Sequence, residues 1–159
     1  VAQTLMNKRS VIDSLLEALR EQHTRATAAA ESAAEGATGD DTKAECKYDT
    51  RGLESSYLAA GQAQQATDLE MAIAKVETFD FDSSSQSSEI IPGALIEADR
   101  NGVTVFYLLA PGGGGIKCHS NTGEEVTILG SEAPLRAHFI GLEVGDQIER
   151  PPLTITAIH

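Results

Sequence analysis

The first stripe of apolar residues in the chain has the spacing of a long helix. Apolar residues recur at every seventh position, and further apolar residues lie beside them on the same face. The repeat consists of Leu5, Ile12, Leu19, Ala26 and Ala33, flanked by Leu15, Leu16, Ala29 and Ala30. This pattern predicts one continuous helix.

A second stripe alternates spacings of four and three residues. It runs through Leu58, Gln62, Gln65, Leu69, Ala72 and Val76, and Ala66 and Ile73 widen its apolar face. A connection of only about seven residues makes antiparallel neighbours the simplest arrangement. Residues 1–79 are therefore expected to form an α-helical coiled-coil hairpin about 45 to 50 Å long. A coiled coil used for dimerisation, or a part of a larger bundle, is the alternative.

The pattern changes after "DFDSSSQSSE", residues 80–89, a polar run that predicts a linker. Short β-branched segments follow, separated by turn signals such as Asn101-Gly102 and "NTG" at 121–123. These segments are "ALIEA", "VTVFYLLA", "IKCHS", "EEVTIL" and "LTITAI". Residues 90–159 are therefore expected to form a small, mostly antiparallel sheet.

One short helix is predicted beside this sheet, within residues 134–146. Pro134 suits the first helical position, and Gly141 suits the end of the helix. Leu135, Phe139 and Ile140 share one face that can pack on the sheet. The predicted fold class is α+β, a helical hairpin followed by a small sheet with one helix.

The loop between the two predicted helices concentrates acidic residues near positions 39–49. Thr42 to Glu45 matches a capping box, and Asp40 and Asp41 lie where a helix N-terminus favours acids. The functional alternative is an incomplete Mg²⁺ site, since Mg²⁺ takes oxygen ligands and completes its shell from water and a partner. The loop alone offers too few ligands for tight binding, so no tightly bound cofactor is expected. Asp40 and Asp41 would share the Mg²⁺ ion with a partner.

The charge of the chain restricts its partners. Its 159 residues carry a net charge of −12, with 8 bases against 13 acids up to Phe79 and 4 against 11 beyond it. Phosphate backbones are bound by Lys and Arg, so stand-alone nucleic-acid binding is not expected. A protein partner with a basic entrance fits better. The alternative is that the negative charge only keeps the protein soluble and has no role in binding a partner.

The remaining chemical motifs predict no self-contained catalytic site. Cys46 and Cys118 have no zinc-site spacing and are interpreted as free thiols, with a single disulfide as the alternative. "PGGGGIK", residues 111–117, lacks the spacing of a phosphate-binding loop, and the four histidines suggest neither a triad nor a metal cluster. No apolar run approaches the roughly 20 residues of a membrane span, and no signal-peptide pattern opens the chain. We expect a cytoplasmic protein.

The order of these parts resembles the GreA/GreB family of bacterial transcription factors. Members have an N-terminal coiled-coil hairpin with an acidic tip and a C-terminal domain of FKBP-like fold. The most specific segment is "ILGSEAPLRAHFIGLEVGDQIE", residues 128–149, which is similar to the family's strand, turn, short helix, "GD" and final strand. "YDTRGLESSYLAAGQ", residues 48–62, is similar to the start of the family's second hairpin helix.

The resemblance implies that residues 90–159 dock on RNA polymerase at the rim of its secondary channel. Glu132, Pro134 and Arg136 would lie near that contact. The hairpin would then enter the channel as part of a monomer, with no membrane involved.

At the tip, the resemblance implies that Asp40, Asp41 and Glu45 help to hold Mg²⁺ in the polymerase, which then cleaves backtracked RNA at its own active site. The family's tip has an aspartate followed three residues later by a glutamate, and here Lys43 stands at that distance from Asp40. A non-catalytic regulator that occupies the channel, or competes with true cleavage factors, is therefore the alternative.

The C-terminal motif also departs from the family. Ala133 stands in place of the serine before the proline, and Leu142 in place of the lysine after the helix glycine. A third hypothesis, a peptidyl-prolyl isomerase, rests only on the predicted domain type. Such enzymes bind proline in an aromatic-lined pocket, and this domain has only Phe106, Tyr107 and Phe139 to offer.

Overall fold

The computed structural model of the chain describes residues 6–38 and 51–159. Two long helices come first, α1 (Lys8–Thr38) and α2 (Arg51–Thr78), and a 3-10 turn follows at Ser83–Gln86. The remaining elements are β1 (Leu95–Arg100), β2 (Val103–Leu109), β3 (Lys117–His119), β4 (Glu125–Leu129), α3 (Pro134–Phe139), β5 (Gln147–Ile148) and β6 (Leu153–Ile158). The predicted α+β class, with two long helices before a small sheet and one short helix, is confirmed.

The chain divides into two compact units. One combines the residues up to Ala18 with Ala72–His159, and the other is Leu19–Met71. The first unit therefore contains the sheet together with the starting turns of α1 and the last turns of α2. The predicted division into residues 1–79, 80–89 and 90–159 stays a prediction.

Within the second unit, α1 and α2 run antiparallel. A Cβ atom added to Gly36 would lie 3.5 Å from Ser55 Oγ, near the end of α1 and the start of α2. Residues between 22 and 29 of α1 share a gap of about 380 Å³ with Gln62 and Gln65 of α2. Because later positions of α1 meet earlier positions of α2, the two helices form the predicted hairpin.

The predicted stripe of α1 is buried along its described length. Ile12, Leu19, Ala26 and Ala33 are between 1% and 9% exposed, and Leu5 lies outside the described residues. The repeat of seven therefore identified the inner face of α1 correctly.

The predicted stripe of α2 is partly wrong. Leu58 is 56% exposed and Gln65 is also exposed, whereas Val76 is buried as predicted. The inner face instead follows a second series with the same alternating spacing, Ser55, Ala59, Gln62, Ala66, Leu69, Ile73 and Val76. Both series share Gln62, Leu69 and Val76, and Ala66 and Ile73, which were predicted to widen the apolar face, also belong to the observed series. The observed series presents smaller side chains where α1 is rich in alanine, which permits close approach.

In the first unit, the six strands form one sheet in the order β3-β4-β2-β1-β6-β5. Neighbouring strands are antiparallel except for β2 and β4, which are parallel. The predicted turn at Asn101-Gly102 joins β1 to β2, with φ angles of 54° and 85° that suit a tight hairpin. The sheet is therefore mostly antiparallel, as predicted, and its one parallel pair was not foreseen.

Both faces of the sheet are covered. On one face Phe139 of α3 is fully buried, and its ring centroid lies 5.3 Å from that of Tyr107 in β2. The cluster on this face also contains Ile90, Ala94, Ile96, Ala98, Leu109, Leu129, Ile148, Leu153 and Ile155. The alternate strand positions Leu95, Leu108, Cys118, Val126 and Ile128 are buried as well. Near β3, the backbone N–H of His119 donates to Ser14 Oγ of α1 at 3.3 Å.

Candidate docking surface

The segment from β4 to α3 carries the predicted docking residues just after the end of β4. After Leu129 the chain turns, and the N–H of Ala133 donates to the carbonyl oxygen of Gly130 at 3.1 Å. Ala133 has an extended backbone, with φ −71° and ψ 122°, as expected of a residue before proline. Pro134 then opens α3 in the first turn, where the absence of its N–H costs nothing.

The end of α3 is fixed by backbone hydrogen bonds. Gly141, at φ +86°, donates its N–H to the carbonyl oxygen of Ile90 at 2.8 Å, and Ile90 donates to that of Leu142 at 2.7 Å. Leu135 and Phe139 face the core as predicted, but Ile140 is 42% exposed. The prediction for Ile140 is wrong because its backbone, at φ −57° and ψ 127°, has already left the helix.

Arg136 is held by two backbone carbonyl groups. Its Nη1 donates to the carbonyl oxygen of Ala110 at 2.7 Å and to that of Leu129 at 3.1 Å. These carbonyls lie at the ends of β2 and β4, the two parallel strands. Desolvation by burial lowers the pKa of the guanidinium below its usual value. One nitrogen of Arg136 thus fastens α3 to the sheet.

Glu132 and Pro134 are exposed, and Glu132 lies at an apolar groove. The groove is open to solvent, has a volume of about 510 Å³, and is mainly apolar in its lining. The residues that line it are Gly114, Gly115, Thr127, Ile128, Leu129, Gly130, Ser131, Glu132 and Ala133. An apolar groove with one carboxylate beside it suits an apolar side chain of a partner flanked by a basic group.

Packing explains the first three glycines of the run at 112–115, whereas Gly115 has open space and a φ of +87°. A Cβ atom on Gly112 would lie 3.1 Å from Ala72 Cβ, and one on Gly113 would lie 2.6 Å from Leu15 Cδ1. A Cβ atom on Gly114 would lie 3.0 Å from the backbone nitrogen of Gly130. The run therefore allows a loop to pass close to other parts of the first unit, which accounts for its glycines without a phosphate ligand.

Lys8 is a residue for which sequence reasoning found no role. Its Nζ donates to the carbonyl oxygen of Phe81 at 2.7 Å, to Ser84 Oγ at 2.7 Å and to the carbonyl oxygen of Gly93 at 3.1 Å. Burial lowers the pKa of Lys8 to about 8, although nearby Asp82 and Asp80 raise it. The stretch expected to be a linker is therefore tied to α1, with Phe81 and Ser84 buried. No local sequence signal reveals this, because the acceptors lie 73 to 85 residues away.

The predicted tip residues Asp40, Asp41 and Glu45, and the capping box from Thr42, lie outside the described residues. Within the described ranges 6–38 and 51–159, no group of three or more histidines, cysteines or acids could hold a metal ion. The shared magnesium site therefore stays a prediction. Cys118 is a buried free thiol, and Cys46 also lies outside the described ranges.

Comparisons with known proteins find a similarity to a solved structure. The structure is similar to the crystal structure of GreA factor homolog 1 (Gfh1) of Thermus thermophilus, with a TM-score of 0.33 and 19% sequence identity. The alignment covers 91% of this chain and 94% of that chain. The chain matches no protein-family model and no curated protein sequence. A similarity at this level carries no argument about fold, family or activity. The elements of the chain themselves define an α+β protein with a helical hairpin and a sheet.

None of the helices in the described part of the chain combines the length and the apolar character that crossing a bilayer requires.

Proposed function

We propose that this chain is a Gre-like transcription factor that binds bacterial RNA polymerase in the cytoplasm. The surface around Glu132 and Pro134 docks at the rim of the polymerase's secondary channel, and the helical hairpin enters the channel. One observation carries the proposal. Residues 128–149, which resemble the family motif, fold as a strand, a turn, a short helix begun by proline, a glycine turn and a strand, and they follow two long antiparallel helices in the chain.

The contacts and the exposure of the three docking residues support a different role for each of them. Arg136 is engaged with Ala110 and Leu129 through Nη1, so its main contribution is to position α3. Glu132 is exposed beside the apolar groove and supplies charge for a basic partner. Pro134 is exposed at the start of α3 and presents a rigid apolar surface.

The length and the charge of the chain support insertion of the hairpin. The 31 residues of α1 extend about 46 Å at 1.5 Å per residue, which suits a site deep inside a partner. A net charge of −12 favours encounter with a basic channel.

At the far end, Asp40, Asp41 and Glu45 would approach the polymerase's active site. Their carboxylates are hard oxygen ligands that suit Mg²⁺, which the polymerase would share with them. Magnesium in such a site polarises a phosphate and activates water. The chain itself would supply ligands and position water, so the polymerase remains the enzyme.

A second candidate is a non-catalytic regulator that occupies the channel or competes with cleavage factors. One observation favours it: Lys43 stands three residues after Asp40, where the family has a glutamate. A base at that position would weaken the attraction between the tip and a metal ion.

RNA release from a backtracked polymerase complex with Mg²⁺ separates the two candidates. The wild type is compared with an Asp40→Ala, Asp41→Ala double variant and with a Glu17→Ala, Glu21→Ala control that removes the same charge from α1. If the wild type and the α1 control accelerate RNA release and the tip variant does not, the protein is a cleavage factor. Intact binding without acceleration, together with antagonism of a known cleavage factor, identifies the regulator. Absence of polymerase binding contradicts both.

A further inference from the structure

The buried side chains of α1 are concentrated in its first turns. Those that are at most 5% exposed and larger than alanine are Val11, Ile12, Leu15, Leu16 and Leu19. In residues 20–36, by contrast, only Ala26 and Ala33 are buried. Alanine has little apolar surface to bury, and the stabilisation from burial is roughly proportional to that surface. The later part of α1 therefore gains little stability from packing.

The start of α2 has the same property. None of the side chains at 52–71 is buried, whereas Val76 near the end of the helix is 2% exposed. Tyr57 and Leu58 are exposed, and the residues that face α1 are small or polar, namely Ser55, Ala59, Gln62 and Ala66. The contact between the two helices in the second unit thus buries little apolar surface.

Packing between the two helices is also incomplete. An open gap of about 380 Å³ is lined by Gln22, Arg25, Ala26, Ala29, Gln62 and Gln65. Close-packed interiors leave few voids larger than a water molecule, and atoms beside a void lose dispersion contacts. Gly61 weakens α2 in the same region, because glycine inside a helix is less favourable than alanine. The gap and Gly61 therefore lower the stability of this part of the hairpin further.

The first unit has a core of its own. Of the buried apolar side chains in the described ranges, only Leu19, Ala26 and Ala33 belong to the second unit. The others lie in the sheet, in its connections, and in the parts of α1 and α2 that belong to the first unit. Opening of the second unit would therefore leave almost all of this core in place.

We propose that residues 19–38 and 51–71 open and close as one cooperative unit, while the sheet and the helix ends of the first unit stay folded. Segments that adapt during binding are drawn from the least stable part of a fold. A partner that binds only the paired helices would shift this equilibrium toward the closed state. The hairpin is thereby a conformational switch rather than a rigid rod. This inference concerns the free protein and does not rest on the proposed function.

Hydrogen exchange of the full chain, followed residue by residue by NMR, tests the proposal. Amides at 24–36 of α1 should exchange at least about a hundredfold faster than those of β1 and β2, because a local opening costs less free energy than global unfolding. Amides at 12–18 of the same helix should be protected like the sheet. One continuous helix should therefore contain both rates.

Two matched variants test whether the opening is cooperative. Ala63→Gly and Ala74→Gly make the same change at exposed positions of α2, the first inside the second unit and the other outside it. Ala63→Gly should speed exchange at 24–36 of the neighbouring helix about fivefold, the equivalent of about 1 kcal/mol of helix propensity. Ala74→Gly should leave these amides unchanged. If Ala63→Gly does not fold, Gly61→Ala supplies the same test with the opposite sign.

The proposal is wrong if amides at 24–36 are as well protected as the sheet. It is also wrong if Ala63→Gly changes exchange in α2 alone, since that result indicates fraying of one helix rather than a cooperative unit. An equal effect of Ala74→Gly at 24–36 would extend the opening to the whole hairpin and contradict the separate stability of the first unit.

Discussion

Arg136 Nη1 lies 2.7 Å from the carbonyl oxygen of Ala110, a residue 26 positions earlier in the chain. The same nitrogen also reaches Leu129 at 3.1 Å, so α3 is fastened to the ends of two parallel strands. The presentation of Glu132 and Pro134 thus depends on a side chain that the sequence analysis assigned to the partner contact.

Replacing Arg136 with methionine should lower the free energy of unfolding by about 1 to 3 kcal/mol. The change leaves two carbonyl oxygens without their charged donor, and hydrogen bonds of this kind contribute in that range. Urea denaturation measures the effect. Arg100→Met, at an exposed position of β1, is the control and should change stability by less than about 0.5 kcal/mol. Equal losses in the two variants would contradict a fastening role for Arg136.

Much of the fold could be predicted from local patterns. The repeat of seven located the buried face of α1, and the Asn101-Gly102 pair located the first hairpin. Part of the inner face of α2 was misplaced because two series of equal spacing overlap there, and periodicity cannot choose between Leu58 and Ala59. The size of the side chain decides between these two positions, because α1 is rich in alanine and packs closely against small residues such as Ala59.

The candidate site was less predictable because its contacts are distant in sequence. Pro134 could be placed at the start of α3 from its fixed φ and missing N–H. The acceptors of Arg136 and of Lys8 could not be predicted, since they are brought near only when the sheet has formed. The parallel pairing of β2 with β4 was missed for the same reason, because β3 intervenes in the chain.

The stability contributed by Lys8 should depend on pH. In the fold its pKa is about 8, below the ordinary value of 10.5, because burial disfavours the ammonium. The cost of burying the charge is therefore fully present below pH 8 and disappears as pH rises toward 10.5. Relative to Lys8→Met, the wild type should gain free energy of unfolding across this window.

Urea denaturation of the wild type and of Lys8→Met at several pH values measures this difference. Effects of other groups cancel when the two proteins are compared at the same pH. Lys75→Met, at an exposed position of α2, is the matched control. A wild-type advantage that declines between pH 8 and 10.5 would show that the sign is wrong.

Gly113 and Gly115 should respond differently to alanine. Both have positive φ, 79° and 87°, so alanine costs about 1 to 2 kcal/mol of backbone strain at each position. At Gly113 the new Cβ atom would also lie 2.6 Å from Cδ1 of Leu15, which is fully buried, whereas Gly115 has open space. Overpacking adds about 1 to 3 kcal/mol. Thermal unfolding should therefore show the larger loss for Gly113→Ala, and equal losses would disprove the packing explanation of the glycine run.

Charge reversal at Glu132 should weaken binding to RNA polymerase at least about tenfold. The Glu132→Arg variant places a base beside the apolar groove, where a basic partner group is expected. Like charges across an interface cost about 1.4 kcal/mol or more, and about 1.4 kcal/mol is a tenfold loss of affinity. Glu124→Arg, exposed before β4 and absent from the groove lining, makes the same charge change as a control. Titration of labelled protein with polymerase gives both affinities. If Glu124→Arg weakens binding as much as Glu132→Arg, only net charge matters and the docking surface is misassigned.

Photo-cross-linking from position 40 to RNA polymerase tests most directly whether the hairpin enters the secondary channel. A photoreactive residue replaces Asp40, and a second protein carries it at exposed Val103 in the sheet as a reference. If the hairpin enters the channel, position 40 cross-links to polymerase segments inside the secondary channel, close to the active site, and position 103 does not. Cross-links from position 40 that map outside the channel, while the protein is bound, would contradict it.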